Sequence, residues 1–227
     1  RLVGELCQRV LMAMGGTTVA QPPELYSEQR ADAEIGVLRV NVQTRDSDYE
    51  IEIIAPDKPG LLSMVAGVLN LARLDVRSAR TKSHGTSAVM KWIVTLDPNA
   101  PIPTAGKLHR DLDAALHGRI DLDKRIQERV RAYALLPSIP VPPPVVQVFH
   151  QASIDSTVFE VRSHDRPGLL FHIGDAITRC RVDIRSTVVT TLGAEAIDTL
   201  YVTEIAGGAL TRERAEEVAR RVTAMLR

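Results

Sequence analysis

Cysteine is almost absent from this chain. Cys7 and Cys180 are the only two, they lie far apart, and they form no Cys-x-x-Cys pair. A disulfide framework or a zinc site is therefore disfavoured, and a reducing cytoplasm is the default compartment. No apolar run approaches the ~20 residues of a membrane span, and no signal-peptide pattern opens the sequence. Net charge is missing too: 28 Lys+Arg balance 28 Asp+Glu, which weighs against binding nucleic acid or a membrane surface through bulk charge. Catalytic patterns are equally scarce. No Ser-His-Asp or Cys-His arrangement follows from spacing. His84, His109, His117, His150 and His172 show no ligand spacing and read as surface or strand residues. His164-Asp165 spells a metal-site dipeptide, but a metal needs several converging ligands. No catalytic residue, metal ligand or cofactor site is assigned.

What is present is an ordinary globular composition, 44% hydrophobic and 25% charged over 227 residues, with room for one large domain or two to three small ones. Residues Leu2, Val3, Leu6, Cys7, Val10, Leu11 and Met14 fall on one helical stripe. Such a stripe needs a cover. The expectation is that residues 1–34 are the end of an upstream helical region and a linker, and that the chain is a fragment. Packing of that helix on the following domains is the alternative.

The strongest signal is an internal repeat. Asp57-Lys58-Pro59-Gly60-Leu61-Leu62 returns as Asp165-Arg166-Pro167-Gly168-Leu169-Leu170, an offset of 165 − 57 = 108. At that offset Asp75-Val76-Arg77-Ser78 meets Asp183-Ile184-Arg185-Ser186, Gly85 meets Gly193, Ala88 meets Ala196, and Val94 meets Val202. Upstream, Val37, Leu38, Val40 and Val42 meet Val145, Val146, Val148 and His150. Matched blocks without a gap make two copies of one module: residues 35–118, and residues 145–227. Between them lies a connecting helix and a proline-rich linker, residues 119–144, of which 135–144 should be extended and semi-rigid.

Each copy opens with a hairpin. Residues 37–43 and 49–54 alternate around a turn at Asp46-Ser47-Asp48, as do 145–150 and 158–162. A helix follows, with Leu62, Val65, Ala66, Leu69 and Ala72 on one stripe and Leu170, Ile173, Ile177 and Cys180 on its counterpart. Cys180 aligns with Ala72 and reads as core. Strands 75–81 and 183–190, a glycine turn, and strands 88–96 and 196–204 come next. A second helix follows, on Leu108, Leu112, Ala115 and Leu116 in one copy and on Ala215, Val218, Ala219 and Val222 in the other, with Thr211 as candidate cap. A further helical stretch covers 122–132. The fold class is α+β: two ferredoxin-like units, each an antiparallel four-stranded sheet with two helices. The leading strand of each hairpin is expected to fill the edge that a closing strand normally takes.

The repeated Asp-[Lys/Arg]-Pro-Gly-Leu-Leu joins a strand to a helix. Pro fixes φ for the helix start, Gly lets another group come close, and the helix start offers unpaired amides and a positive dipole end. With an Asp to hold an ammonium group, the corner suits a zwitterionic amino acid. The candidate ligand-binding set is Asp57, Lys58, Pro59, Gly60, Leu61, Leu62, Asp165, Arg166, Pro167, Gly168, Leu169 and Leu170, with Lys58 and Arg166 read as solvated. The bland reading stays open: Asp caps the helix and Pro-Gly shapes the turn.

These features resemble ACT domains, small βαββαβ regulatory modules that bind amino acids between paired copies. The tandem spacing, the stretch Leu112 to Ile126 and the entry segment from Val145 into Asp165-Arg-Pro-Gly168 are similar, over roughly 35–227, to the C-terminal region of the bifunctional [protein-PII] uridylyltransferase/uridylyl-removing family. That resemblance implies L-glutamine as ligand and upstream nucleotidyltransferase and HD phosphohydrolase domains, with Mg2+ in those domains rather than in this segment. It also implies a PII signalling protein as partner and a role in nitrogen metabolism. This sequence has no Gly-Ser followed by paired Asp for a nucleotidyltransferase metal site, so the segment itself is expected to be non-catalytic. Dimerisation by ACT units with degenerate pockets, or an independent amino-acid-responsive regulator, are the competing readings.

Overall fold

The computed structural model describes residues 37–84, 86–133, 142–150, 153–192 and 194–227. The stripe of residues 1–14, most of the proline-rich linker, and the Gly85 and Gly193 turns lie outside the described residues. The described residues all belong to one compact unit.

The first copy contains β1 (Arg39–Arg45), β2 (Asp48–Pro56), α1 (Leu61–Leu71), β3 (Leu74–His84), β4 (Ser87–Leu96) and α2 (Ala105–Leu116). Helix α3 (Leu122–Tyr133) follows. The second copy contains β5 (Val145–Phe149), β6 (Thr157–His164), α4 (Leu169–Arg179), β7 (Val182–Leu192), β8 (Glu195–Glu204) and α5 (Arg212–Leu226). The eight strands of the described residues form one antiparallel sheet in the order β1-β2-β4-β3-β7-β8-β6-β5.

The alternation read from sequence decides which side of the sheet faces the helices. Ile51, Ile53 and Ala55 of β2 and Ala88, Met90, Trp92 and Val94 of β4 are all buried in the core, as period-two side chains on one face must be. The helices lay their apolar stripes on that face: Val65 and Leu69 from α1, Leu108 and Leu112 from α2, Ile173 and Ile177 from α4, and Val218 and Val222 from α5. Cys180 is in this core, and burial pushes its thiol pKa up. The anticipated turn at Asp46-Ser47 is real: Arg45 pairs with Asp48, and Asp46 takes a φ of 53°. Thr104 and Thr211 cap α2 and α5, accepting from the amides of Lys107 and Arg214.

Edge filling follows the expectation. β1 lies outside β2, and β5 lies outside β6. In a β-α-β-β-α-β unit the last strand takes this place; here the chain enters through it, so the order of each half-sheet is kept while the connectivity is rotated by one strand.

The copies join through β3 and β7. Ala79 stands opposite Thr187, Ser78 opposite Val188, and Arg80 opposite Ser186. Ala79 and Thr187 are counterparts at the offset of 108, so an approximate two-fold axis passes through that pair. Above it α1 and α4 cross closely. A Cβ on Gly174 would lie 2.7 Å from Ser63 Cβ, so glycine is what permits the approach. Ser63 Oγ donates to Phe171 O at 2.8 Å, and Ser186 Oγ donates to Ala79 O at 3.3 Å. Ser63 and Phe171 are again counterparts. The seam is thus a three-residue ladder under one helix pair, a short joint beside the ten-residue pairing of β3 with β4.

Candidate ligand-binding corners

The two strand-to-helix corners are equivalent in shape. Gly60 and Gly168 occupy the N-cap positions with φ of 80° and 76°, a left-handed conformation that costs other L-residues ~1–2 kcal/mol. Asp57 N donates to Thr86 O and Asp165 N to Ala194 O, both at 2.9 Å. Leu61 N donates to Lys58 O and Leu169 N to Arg166 O, both at 3.1 Å. The first helical bonds close from Met64 and His172 onto the two glycine carbonyls. The amides of Leu62, Ser63, Leu170 and Phe171 therefore sit in the positions that have no intrahelical acceptor.

Several site expectations are corrected. Neither Asp57 nor Asp165 caps its helix, because the glycine is the N-cap and no side chain accepts from the helix start. Lys58 and Arg166 are not simply solvated. Lys58 Nζ donates to Leu116 O at 3.3 Å and Arg166 Nη2 to Leu226 O at 3.4 Å. Each cation meets the carbonyl end of its own copy's second helix, where orphan acceptors and the negative dipole end attract it. Leu61, Leu62 and Leu169 are buried and Leu170 is packed against the core, so these leucines anchor the corner and offer it only backbone. His172, read as a surface or strand residue, lies in the first turn of α4, with Nε2 3.8 Å from where a Cβ of Gly168 would stand. Burial, then the Arg166 charge, holds its pKa below the ordinary imidazole range.

Each corner faces the start of the other copy's central strand. Asp183 at the head of β7 has its pKa raised by burial, opposed by Arg185, with a smaller push from Asp57. Asp75 at the head of β3 is raised by burial and then by Asp165. Both strands slip register at the residue between, Arg77 and Arg185, as a β-bulge does when it re-aims a side chain. The residues preceding these strands, Arg73 and Arg181, share a left-handed φ of 60° and 59°. The repeat Asp-[Val/Ile]-Arg-Ser thus belongs to the corners. Its recurrence was visible in the sequence; its position across the seam was not, because that depends on the β3–β7 pairing.

The corners differ in what surrounds them. The three atoms nearest a Cβ on Gly60 all belong to Thr178, the closest at 3.1 Å, and Thr178 Oγ1 donates to Gly174 O at 2.8 Å. At Gly168 a Cβ would collide with Ile126 Cγ2 of α3. Beneath the second corner, Asp198 of β8 is 1% exposed and its Oδ1 has no hydrogen-bond partner. Burial, reinforced by Asp165, pushes its pKa up to about 7. The counterpart at the offset of 108 is Met90. An Asp in the apolar phase of Ala196-x-Asp198-x-Leu200-x-Val202 was the missed signal. Among the described residues no group of three His, Cys, Asp or Glu side chains is placed to hold a metal ion, and no helix is long and apolar enough to cross a membrane.

Sequence comparison separates this fold from its many look-alikes. The bifunctional uridylyltransferase/uridylyl-removing enzyme of Streptomyces coelicolor is 40% identical over 185 residues, 78% of this chain and 22% of that protein. The protein of the same name from Gluconobacter oxydans is 33% identical over 71% of this chain and 18% of its own length. That of Mycobacterium tuberculosis H37Rv is 29% identical over 89% of this chain and 27% of its own length. The chain is a partial region of this enzyme family. It spans about a quarter or less of these uridylyltransferase/uridylyl-removing relatives. No family model matches the chain. Among solved structures, aspartate kinase from Synechocystis shares 14% identity at a TM-score of 0.39, covering 89% of this chain and 30% of that one; a likeness of that size carries no argument, and the fold rests on the strand order.

Proposed function

We propose that this chain is the regulatory, amino-acid-sensing region of a uridylyltransferase/uridylyl-removing enzyme, with L-glutamine as its ligand. The observation that carries the reading is the pair of equivalent corners, each set across the seam from the other copy's Asp-x-Arg strand head. A zwitterion fits this chemistry. Its carboxylate would meet the unpaired amides at the start of α1 or α4, and its ammonium the Asp of the corner and the Asp across the seam. Glutamine, rather than another amino acid, comes from the family resemblance.

Position on the seam gives the site its regulatory use. A ligand touching both copies favours the arrangement in which both sets of contacts form, and it shifts the balance only by its difference in affinity between arrangements. The short β3–β7 ladder makes the seam the joint most open to such a bias. Upstream catalytic domains would read that bias, and PII would be the protein substrate of the parent enzyme. A cytoplasmic location and a non-catalytic role for this segment belong to the same reading.

Calorimetric titration of this chain with L-glutamine tests it. Saturable heat in the micromolar to millimolar range is expected, together with a rise in Tm, and both should be lost in Asp57→Ala/Asp183→Ala. Neither heat nor stabilisation at millimolar glutamine would leave a purely structural pairing of the copies as the better account.

A further inference from the structure

The geometry points to helix α3 as a gate on the second corner: Ile126 closes it in this structure, so the first corner is the standing ligand site and the second opens only when α3 moves. The inference rests on the amino-acid reading above and concerns its regulation.

Three observations carry it. First, Ile126 is packed against the turn of the second corner. Its side chain is 0% exposed and packed so close to Gly168 that even a Cβ there would collide with Ile126 Cγ2. Second, the same side chain also touches the first copy: Ile126 Cδ1 and Leu122 Cδ1 lie 3.4 and 3.3 Å from a Cβ position on Gly67 of α1. The gate therefore spans both copies, and displacing it changes contacts on each. Third, α3 is thinly attached. Along residues 122–132 only Leu122 and Ile126 are buried, and Arg129 adds a hydrogen bond from its guanidinium to Asn70 O at the end of α1. Elements with few buried contacts open at low cost relative to the core.

Beneath the gate the second corner is built for a positively charged guest. Asp165 borders it, and Asp198 lies under it, buried with Oδ1 unpaired. The first corner has Met90 in that place and Thr178 as its neighbour. An α-amino group entering the second corner would give the buried carboxylate a counter-charge that it lacks while α3 is closed. Occupation of the first corner and opening of the second would then be coupled through α1, on which α3 rests.

Stoichiometry of L-glutamine binding tests the gate. This chain should bind one glutamine, lost in Asp57→Ala and retained in Asp165→Ala. Ile126→Ala should bind two, the second lost on adding Asp165→Ala. Because Ile126→Ala removes a core side chain, Arg129→Gln serves as the milder variant; it loosens the same helix with the core intact and should reveal a second, weaker site. Faster hydrogen exchange of the α3 amides in both variants checks that the helix has been released. Two sites in the parent chain, or one site in both variants despite faster exchange, overturns the gate and leaves the amino-acid reading standing. No binding in any of them overturns that reading and the gate with it.

Discussion

Met90 and Asp198 occupy counterpart positions on β4 and β8, in strands that superpose residue for residue in the repeat, yet one buries a thioether and the other a carboxyl. Ala79 and Thr187, opposite each other on the pseudo-two-fold, repeat the pattern: the second copy buries a hydroxyl whose oxygen has no partner where the first buries a methyl. Gly60 faces a threonine side chain held by a hydrogen bond to Gly174 O, and Gly168 faces a buried isoleucine. The backbone of the module was duplicated faithfully, down to the left-handed arginines and the bulges. The surroundings of the two corners were not. The first copy buries fewer polar side chains, and its corner glycine meets a threonine rather than an isoleucine. The second buries more polar side chains, Thr187 and Asp198 among them, and its corner glycine lies under Ile126. Unequal jobs for two equal scaffolds follow from a few side chains rather than from any change of fold.

The largest test of that difference is to erase it at Asp198. Its folded pKa stands at about 7 against an ordinary 3.8, so between those values the unfolded chain releases a proton that the folded chain keeps. Stability should fall as pH rises from about 4 to 7 and level off above. At ~1.4 kcal/mol per pH unit the full effect is on the order of 4 kcal/mol. Asp75 and Asp183, also raised, act in the same direction, so the variant must be compared with its parent. Asp198→Met, which copies the first half, should be more stable than the parent at pH 8 and little different at pH 4. Urea unfolding at both pH values decides it, and equal differences at the two would mean that the carboxyl finds a partner in solution.

A smaller test sets the two glycines against each other. Gly168→Ala meets a left-handed φ and a collision with the packed Ile126, so a cost of about 3 kcal/mol is expected. Gly60→Ala meets the same φ but a looser contact, 3.1 Å to Thr178 Cγ2, and about 1–2 kcal/mol is expected. Adding Ile126→Ala to Gly168→Ala should recover part of the difference as a coupling energy. Similar costs at the two positions would show that α3 does not press on the second corner in solution.

Much of this architecture was legible because the repeat constrains itself. Two copies of one pattern agreed on the strand phases, the helical stripes, the capping by Thr211 and the role of Cys180, and the leading strands went to the edges left for them. The candidate corners were legible as local shapes for the same reason. What sequence could not supply was everything that depends on contact across the seam. Asp183 and Asp75 face the opposite copy's corner because β3 pairs with β7, and no local periodicity encodes that pairing. In the sequence Ile126 is one apolar residue in a connecting helix; that it lands on Gly168 is a tertiary event. Lys58 and Arg166 read as solvated because nothing local shows that the last turns of α2 and α5 end beside them. Asp198 was legible in principle, as the one charge in an apolar phase, once the offset of 108 placed it on Met90.

The smallest expected effect concerns the second residue of each corner. Lys58 and Arg166 reach the carbonyl ends of α2 and α5 at similar distances, 3.3 and 3.4 Å. Such contacts at half-buried sites are worth about 0.5–1 kcal/mol. They should not be worth the same amount. Arg166 also holds its Nε–H buried without a partner, a desolvation cost that Lys58 does not share and that offsets part of the gain. Lys58→Met should therefore lower stability by up to about 1 kcal/mol, and Arg166→Met by less. The second variant carries its own readout. The Arg166 charge contributes to holding His172 below its ordinary pKa, after burial, so Arg166→Met should raise the His172 pKa in an NMR titration while Lys58→Met leaves it in place. An unmoved His172 would place the Arg166 guanidinium away from the corner, committed entirely to the end of α5.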